Sequence, residues 1–301
     1  MPLQNQLHVD TLLSNVAVKY RSALYIADQV FPDVAVKKTS DIFRVYTRNW
    51  RIPSTLRSSG GVSKEWSFDV STAGYQLEWH SQKAYVADRD ADNYDLADLR
   101  VDTTEELTDV LLRRKELMVA NLFTVTNWSQ NVSLAAANAF SANTTVSNPI
   151  PIFDTAATTI IQNSGQKPNY GILPRNGFVS CKNHTSVLDR TKYVSAEMDV
   201  KMLQALFGLE QLLVPMAAQD TSAFGLTDVV ANIWGDNAFV GYKPGSASNM
   251  KPSAGYVFKY SRPMTKRWRE EEREADAIEV NLEIQPRVVA SLCGYLIRDI
   301  D

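Results

Sequence analysis

The sequence is poor in the residue types that build catalytic and metal centres. It has three histidines and two cysteines among 301 residues. Cys181 and Cys293 lack the spacing of a zinc site, and two thiols in a chain of this size do not make a disulfide scaffold. We therefore expect a cytoplasmic protein, soluble when made, with no metal, no cofactor and no catalytic centre.

Long apolar runs and an excess of one charge are also missing. No apolar run approaches the roughly 20 residues that a helix needs to cross a bilayer, so we expect no membrane partner. The 31 basic residues are nearly balanced by 34 acidic ones. The chain thus lacks the net positive field of a dedicated nucleic-acid binder, and any contact with a polyanion would be local.

His184, Ser186 and Asp189 are the residue types of a hydrolytic triad. Members of such a triad come together through the fold and are not normally found within six consecutive residues. The sequence also has no G-x-S-x-G motif. A polar loop or helix start is the favoured interpretation, and a hydrolase remains the weaker alternative.

A run of aspartates offers oxygen ligands of the kind that calcium prefers. Its members are Asp88, Asp90, Asp92 and Asp95. The loop glycine and the terminal glutamate of the calcium-binding loop are absent. The pattern favours a solvated acidic connector.

A long ribbon is the most informative feature of the chain. Apolar and polar residues alternate from Glu65 to Val70 and from Tyr75 to Val86, a period typical of strands. Gly60-Gly61 provides a turn, since glycine reaches positive φ without a steric penalty. We find no nearby segment to bury both faces, and an isolated two-stranded ribbon is marginal in water. The ribbon therefore predicts an assembly protein whose copies cover one another.

A long helix is predicted over residues 104–123. Thr103 and Glu106 have the spacing of a capping box, and apolar residues recur from Leu107 to Leu122 at helical intervals. Arg113-Arg114-Lys115 falls on its polar side. This basic cluster and the one at residues 266–269 lie among acidic neighbours, so salt bridges are favoured over a grip on nucleic acid.

The remaining pattern mixes helices and strands. Residues 1–40 show no sustained period and are interpreted as an extended arm. Asp154 is predicted to cap one helix, and a second is predicted over residues 199–207. Strands are predicted at residues 170–173, 212–214, 238–242, 256–260 and 278–284, and at the apolar run 288–297. An α+β fold follows.

The order of these elements resembles that of the major capsid proteins of tailed double-stranded-DNA bacteriophages. The landmarks that carry the resemblance are Val30 to Val36 in the arm, Arg113 to Phe123 at the end of the long helix, Asn148-Pro149-Ile150, Lys167-Pro168-Asn169, Leu206-Phe207-Gly208, Ile233-Trp234-Gly235-Asp236 and Gly294-Tyr295-Leu296-Ile297. They span nearly the whole chain.

The resemblance implies the Hong Kong 97-type capsid fold. Residues 1–41 would form the arm, 42–88 the extended loop, 89–167 with 256–301 the peripheral domain with its spine helix, and 168–255 the axial domain. Because the arm begins almost at Met1, we expect no long scaffolding segment in this chain.

The resemblance also implies a function without catalysis. Hexamers and pentamers of the chain would tile an icosahedral shell in the virion, assembled in the host cytoplasm. Portal, scaffold or decoration proteins are possible partners, and packaged DNA would lie on the inner face without sequence specificity. An encapsulin-like compartment enclosing a cargo enzyme is the alternative.

The residues that we expect at subunit interfaces lie in the ribbon and on the long helix. They are Trp66, Phe68, Leu77, Trp79, Tyr85, Arg113 and Arg114. We expect Trp66 and Trp79 to matter more for assembly than for the fold of the subunit.

Overall fold

A computed structural model of the chain describes residues 25–45, 52, 54–65, 71–93, 98–134, 136–192, 199–223, 225–246, 252–261 and 265–301. Helices and strands alternate in an α+β fold. The helices are α1 (Ala27–Val30), α2 (Asp88–Asp92), α3 (Leu99–Ala120), α4 (Pro149–Ser164), α5 (Arg175–Asn183), α6 (Thr185–Thr191) and α7 (Val200–Leu206). The strands are β1 (Asp33–Val36), β2 (Ser40–Val45), β3 (Ser71–Gln76), β4 (Glu78–Ala87), β5 (Asn131–Ser133), β6 (Tyr170–Ile172), β7 (Gln211–Leu213), β8 (Ala218–Asp220), β9 (Val230–Asn232), β10 (Ala238–Gly241), β11 (Gly255–Tyr260), β12 (Thr265–Glu270), β13 (Ala275–Val288) and β14 (Gly294–Arg298). In the described part of the chain, no helix has the length and apolar character needed to cross a membrane.

The first five-stranded sheet is organised around the long strand β13. Strands β11 and β12 pair antiparallel with successive parts of one edge of β13, and β4 pairs along the other edge as far as Ile284. Strand β1 adds to β11 in parallel. Helix α3 packs across β13 and β4, so this sheet and the helix form one layered unit.

Pro286 lies in β13 beyond the end of β4. It is opposite Val257, whose N–H donates to the Pro32 carbonyl on the far side of β11. The Val257–Pro286 pair therefore exchanges no backbone hydrogen bonds, and position 286 faces the edge that β4 has left. Proline is tolerated there because no N–H is required of it.

The second five-stranded sheet has the order β5-β14-β10-β6-β7. Its apolar core includes Phe153 of α4, whose ring stacks on Phe207 with centroids 3.9 Å apart. The predicted strand over residues 288–297 is interrupted by a 3₁₀ turn at Ser291–Cys293. Strand β14 then begins at Gly294. Only glycine fits at this position, because a Cβ would lie 2.4 Å from the rings of Phe239 and Trp128.

The long helix α3 begins five residues earlier than the predicted capping box. Asp98 is its N-cap and accepts a hydrogen bond from the Arg100 N–H at 3.0 Å, whereas Thr103 lies inside the helix and donates to the Leu99 carbonyl. The predicted cap of α4 is wrong in the same way. Asn148 caps that helix, and Pro149 occupies its first turn, where a missing N–H costs nothing.

The buried side of α3 contains polar residues, among them Lys115, which the sequence analysis placed on the polar side of the helix. Thr104, Thr108, Lys115 and Glu116 are buried, while Val110 is exposed. The threonines can be buried because Thr104 and Thr108 donate to carbonyls four residues earlier, at 2.8 and 2.6 Å. The apolar periodicity thus located the helix but misassigned part of its buried face.

Residues 26–36 are packed into the subunit, which corrects the prediction of an extended arm without helix or strand. Val30 and Phe31 are fully buried and β1 extends the first sheet. Lys115, which is buried on α3, makes ion pairs with Asp28 and, at 2.7 Å, with Asp33. Residues 26–36 are therefore fixed to the long helix by ion pairs as well as by apolar contacts.

The neighbouring Glu116 carboxylate joins three parts of the chain. It accepts hydrogen bonds from the Ile26 N–H at 3.0 Å, the Ala27 N–H at 2.8 Å and the Trp234 indole N–H at 2.6 Å. Burial raises the pKa of Glu116, and these three donors offset part of that rise. Every buried oxygen of this carboxylate therefore has a donor.

Candidate assembly surfaces

Strands β2 and β3 form an antiparallel hairpin that protrudes from the first sheet. The strands pair from Ser40 with Gln76 to Val45 with Ser71. Gly60 lies in a turn with φ of +78°, at the Gly-Gly pair where the sequence predicted a turn. The Arg57 side chain closes the same turn by donating to the Gly61 carbonyl and to Ser63 Oγ at 3.2 Å.

The root of the hairpin is packed and its outer part is bare. Tyr75 stacks on Phe258 of β11 with ring centroids 4.4 Å apart, and Phe43 contacts the same ring at 5.3 Å. By contrast, Ile52, Leu56 and Val62 are 93%, 85% and 91% exposed. The described residues therefore leave an apolar tip on a fixed base.

The ribbon ends earlier than the sequence analysis predicted. Leu77 interrupts the strand and donates its N–H to the Thr39 carbonyl at 2.8 Å. Beyond it, β4 pairs with β13 over its whole length, from Glu78 with Ile284 to Ala87 with Ala275. The interpretation of Tyr75 to Val86 as one ribbon strand without a nearby partner is wrong, because sequence alternation does not identify a partner strand 188 to 206 residues later.

The predicted interface residues of the ribbon fall in different places. Trp66 and Phe68 lie outside the described residues. Leu77 is half-buried at the strand break. Trp79 is 58% exposed and donates its indole N–H to Asn281 Oδ1 at 2.9 Å. Tyr85 lies six residues after Trp79 in β4, so the two side chains are on the same face of the strand.

The Tyr85 ring is part of a cation and aromatic layer on the outer face of the sheet. Arg273 lies 4.4 Å and Lys83 4.8 Å from its centroid. Lys83 also approaches the ring of Trp268 at 5.6 Å. These contacts hold the tyrosine within its own subunit while leaving it partly exposed.

Trp79, Arg113 and Arg114 meet at one open groove, although they come from separate parts of the sequence. The groove has a volume of about 590 Å³ and lies between the start of β4, the outer side of α3 and strand β8. Val110 and Leu117 supply apolar surface to it, and the remaining lining residues are His80, Ser81, Gln82, Leu111, Gln219 and Asp220. We call it the β4–α3 groove.

The two arginines of this groove have different surroundings. Arg113 is bound to Asp109 at 2.7 Å, and Asp109 also accepts a hydrogen bond from the Tyr25 hydroxyl. Arg114 is exposed and makes no hydrogen bond or ion pair with any residue that the structure describes. Burial, and next the Arg114 charge, lower the pKa of His80, with Glu78 opposing them. The lowered pKa keeps the imidazole uncharged at neutral pH, and Asp220 is the carboxylate that lines the same groove as Arg114.

A second exposed apolar hairpin was missed by the sequence analysis. Strands β8 and β9 pair from Ala218 with Asn232 to Asp220 with Val230. Asp220 fixes the connecting loop by accepting hydrogen bonds from the N–H groups of Ser222 and Val229, both at 2.9 Å. Large apolar residues exposed in and near this hairpin are Met216, Leu226, Val229 and Val230. The turn-forming Asp220 and Gly225 were the available sequence signal.

The histidine of the candidate hydrolytic triad has a structural role. His184 Nδ1 accepts a hydrogen bond from the Ser186 backbone N–H and so caps α6. Its Nε2 lies 3.0 Å from Ser147 Oγ in the buried interior. Asp189 is near Lys192, at 3.9 Å, rather than bound to the imidazole. These contacts match the polar helix start that the sequence favoured.

The described part of the acidic segment after β4 makes an ion pair with β12 of the first sheet. Asp88 is held by a two-pronged ion pair with Arg269, at 2.5 Å for each oxygen. Asp95 lies outside the described residues. Among the residues that are described, no group of three or more histidine, cysteine or acidic side chains is arranged to hold a metal ion.

Comparison with known proteins places this fold in one class. A phage-related protein from Bordetella bronchiseptica matches 98% of both chains with a TM-score of 0.78 and 22% identity. The capsid structure of cyanophage P-SCSP1u matches 99% of this chain and 92% of that one, with a TM-score of 0.62 and 13% identity. The fold is the Hong Kong 97-type capsid fold, as the order of sequence landmarks implied.

Two phage proteins are similar to this chain in sequence, and both are major capsid proteins. The chain is 24% identical to the major capsid protein of Burkholderia phage BcepMu over 304 aligned residues, 97% of each protein. It is 26% identical to the major capsid protein of Pseudomonas phage JBD67, covering 78% of this chain and 77% of the relative. No protein-family model matches the chain.

Fold and relatives lead to the same conclusion. The chain is a phage major capsid protein, a structural protein of the virion shell. The alternative of an encapsulin-like compartment is not favoured, since both relatives are phage capsid proteins.

Proposed function

We propose that copies of this chain close into hexamers and pentamers and tile an icosahedral shell around packaged double-stranded DNA. The observation that carries the proposal is the hairpin β2–β3, whose root is fixed while Ile52, Leu56 and Val62 remain bare. Apolar surface left in water is a cost that contact with a neighbouring copy removes. The chain serves without catalytic activity, as the buried and helix-capping role of His184 supports.

We further propose the partners and place of assembly that the resemblance implies. The shell is built in the host cytoplasm, with a portal protein and a separate scaffold or decoration protein as possible partners. DNA lies on the inner face without sequence specificity, which is consistent with the near balance of 31 basic and 34 acidic residues.

The division of the chain into arm, extended loop, peripheral and axial domains stays a proposal, with one change. Residues 78–88 are assigned to the peripheral domain, because β4 pairs along β13. Residues 40–76, with the β2–β3 hairpin at their base, then form the extended loop.

Electron microscopy of the expressed protein tests the shell. Closed particles of uniform diameter, formed by the chain alone or with a scaffold partner from the same phage, support it. Monodisperse monomers at high concentration under both conditions contradict it.

The variant Trp79→Ala separates assembly from folding. The indole is more than half exposed, so we expect the free energy of unfolding to fall by about 1 kcal/mol, mainly from the lost hydrogen bond to Asn281. Particle yield should fall at least tenfold, because the same contact is lost at every repeat of the lattice. Sedimentation of particles, combined with thermal melting by circular dichroism, measures the two effects.

A matched control for this variant is Leu188→Ala on helix α6, which removes an exposed apolar side chain outside the groove. It should change neither quantity appreciably. If Trp79→Ala instead lowers the melting temperature sharply while the yield per folded subunit is unchanged, Trp79 belongs to the core of the subunit and not to an interface.

A further inference from the structure

His184 is a fully buried histidine that lies between helix α6 and the loop of residues 140–147. We propose that this residue is an acid-sensitive switch, in which a second proton on the imidazole breaks the N-cap of α6 and releases the loop from the helix. The inference goes beyond the proposed shell function and does not depend on it.

The hydrogen bonds around the imidazole fix the position of its single proton. Ser147 Oγ accepts a hydrogen bond from the Thr144 N–H at 2.8 Å and donates to the Thr144 carbonyl at 3.0 Å. Because the hydroxyl proton is used there, Ser147 Oγ acts as an acceptor toward Nε2 of His184, which is 3.0 Å away. The neutral imidazole therefore carries its proton on Nε2, and Nδ1 accepts the Ser186 N–H at 3.2 Å.

A second proton has no acceptor in this arrangement. It must bind to Nδ1, toward which the Ser186 N–H already points, so two N–H groups would face each other. The resulting cation would also be buried away from water, which disfavours the charged form. Protonation therefore requires the imidazole to leave its capping position.

The pKa of His184 agrees with this geometry. Burial lowers it, and a hydrogen bond with the Thr144 backbone, which favours the charged form, opposes that effect. Among the described residues no carboxylate contributes to the shift, and Asp189 of α6 is exposed and lies 3.9 Å from Lys192. The loop of residues 136–148 has no ionisable side chain. The other ionisable groups on the elements that pack around this position are Arg175, Cys181 and Lys182 on α5, Arg190 on α6, Asp154 on α4, and Asp299 and Asp301 near the C-terminus.

Loss of the cap affects the helix and the loop together. Helix α6 has only seven residues, so it depends on its cap and its packing for stability. The loop is bound to the first residue of α6 through Asn143, whose Oδ1 accepts hydrogen bonds from the Thr185 N–H at 2.9 Å and the Thr185 hydroxyl at 3.2 Å. Opening of the first turn of α6 breaks these two hydrogen bonds as well.

Hydrogen–deuterium exchange of the full-length protein, measured by mass spectrometry and corrected for the intrinsic rate at each pH, tests the switch. Because folding lowers the pKa of this histidine, the closed form has its full stability above the ordinary pKa of 6.5 and loses stability as the pH falls below it. Between about pH 7.5 and pH 5.5 we expect the protection of peptides covering residues 140–148 and 185–191 to fall by about threefold to tenfold. Peptides from α3, which contains no histidine, should keep their protection.

Three variants separate the imidazole from the rest of the site. His184→Asn keeps a side-chain acceptor at the N-cap but does not titrate, so the fall in protection with pH should disappear. Ser147→Ala removes the partner of Nε2 and leaves Nδ1 as the cap, so the fall should persist. His80→Asn removes another histidine with a lowered pKa and is the matched control, which should leave the response of both peptides unchanged.

A response that is confined to the two peptides and removed by His184→Asn alone supports the switch. The proposal is overturned if the unmodified protein shows no such response, if His184→Asn keeps it, or if His80→Asn removes it. Equal loss of protection in α3 also overturns it, because the whole subunit would then be unfolding. None of these results bears on the shell, which electron microscopy tests separately.

Discussion

Replacing Asp28 and Asp33 together by asparagine is expected to lower the free energy of unfolding by about 4 kcal/mol. Their common partner, the Lys115 ammonium, is 4% exposed, whereas the two aspartates are 61% and 34% exposed. The double variant leaves a buried cation with no counter-charge, which is the costly way to break a buried ion pair. Urea denaturation of the full-length subunit measures the loss.

The opposite substitution, Lys115→Met, should cost no more than about 1 kcal/mol. Methionine has similar volume and removes the buried charge, and the freed aspartates are exposed enough to be hydrated. Asp90→Asn with Asp92→Asn, on the exposed helix α2, is the control and should change stability by less than about 0.5 kcal/mol. A Lys115→Met variant as unstable as the aspartate double variant would contradict this account.

The same site predicts a loss of stability in alkali. Burial alone would lower the pKa of Lys115, but the Asp33 and Asp28 carboxylates outweigh it and raise the pKa above the ordinary 10.5. A lysine whose pKa is raised by folding contributes stability fully below its unfolded pKa and loses that contribution as pH rises through the folded value. Above about pH 10.5 the unmodified protein should therefore lose more stability than Lys115→Met does.

The variant Glu116→Leu is expected to destabilise the subunit by about 4 kcal/mol. It removes the acceptor for the Ile26 and Ala27 N–H groups and the Trp234 indole, and leaves three buried donors unsatisfied. Glu116→Gln keeps one of the two oxygens and should cost about half as much. Chemical denaturation gives the stability, and Trp234 fluorescence reports whether the indole is released.

Glu106→Leu is the matched control, since Glu106 is exposed on the same helix. It should alter stability by less than about 0.5 kcal/mol. Comparable losses for Glu106→Leu and Glu116→Leu would mean that helix propensity, and not the three hydrogen bonds, accounts for the effect.

The sequence predicted elements best where a regular period coincides with burial on one face. The alternation from Ile278 to Ile284 located the centre of β13, and the helix predicted over residues 199–207 is α7. The Gly60 turn and the long helix were also found. The starts of α3 and α4 were predicted too late in the sequence. Asp98 and Asn148 cap these helices in place of the predicted Thr103 and Asp154.

Tertiary partners explain what the sequence did not predict. Lys115 and Glu116 belong to a charged run, and their burial depends on Asp33 and Trp234, which are 82 and 118 residues away. The groove likewise requires β4, α3 and β8 to meet, which no local period encodes. Of the seven predicted interface residues, Trp79, Arg113 and Arg114 line that groove. Their role between subunits stays a prediction.

Pro286 has a consequence for how copies of the chain can adhere to one another. Strand β4 pairs with one edge of β13 only as far as Ile284, and beyond it no strand among the described residues pairs with that edge. An unpaired strand edge can pair with a strand of another molecule. A residue without an N–H at that edge cannot donate to an incoming strand. Pro286 therefore disfavours fibre-like association of newly made subunits through this edge of β13. Contacts between side chains remain as the means of ordered assembly there.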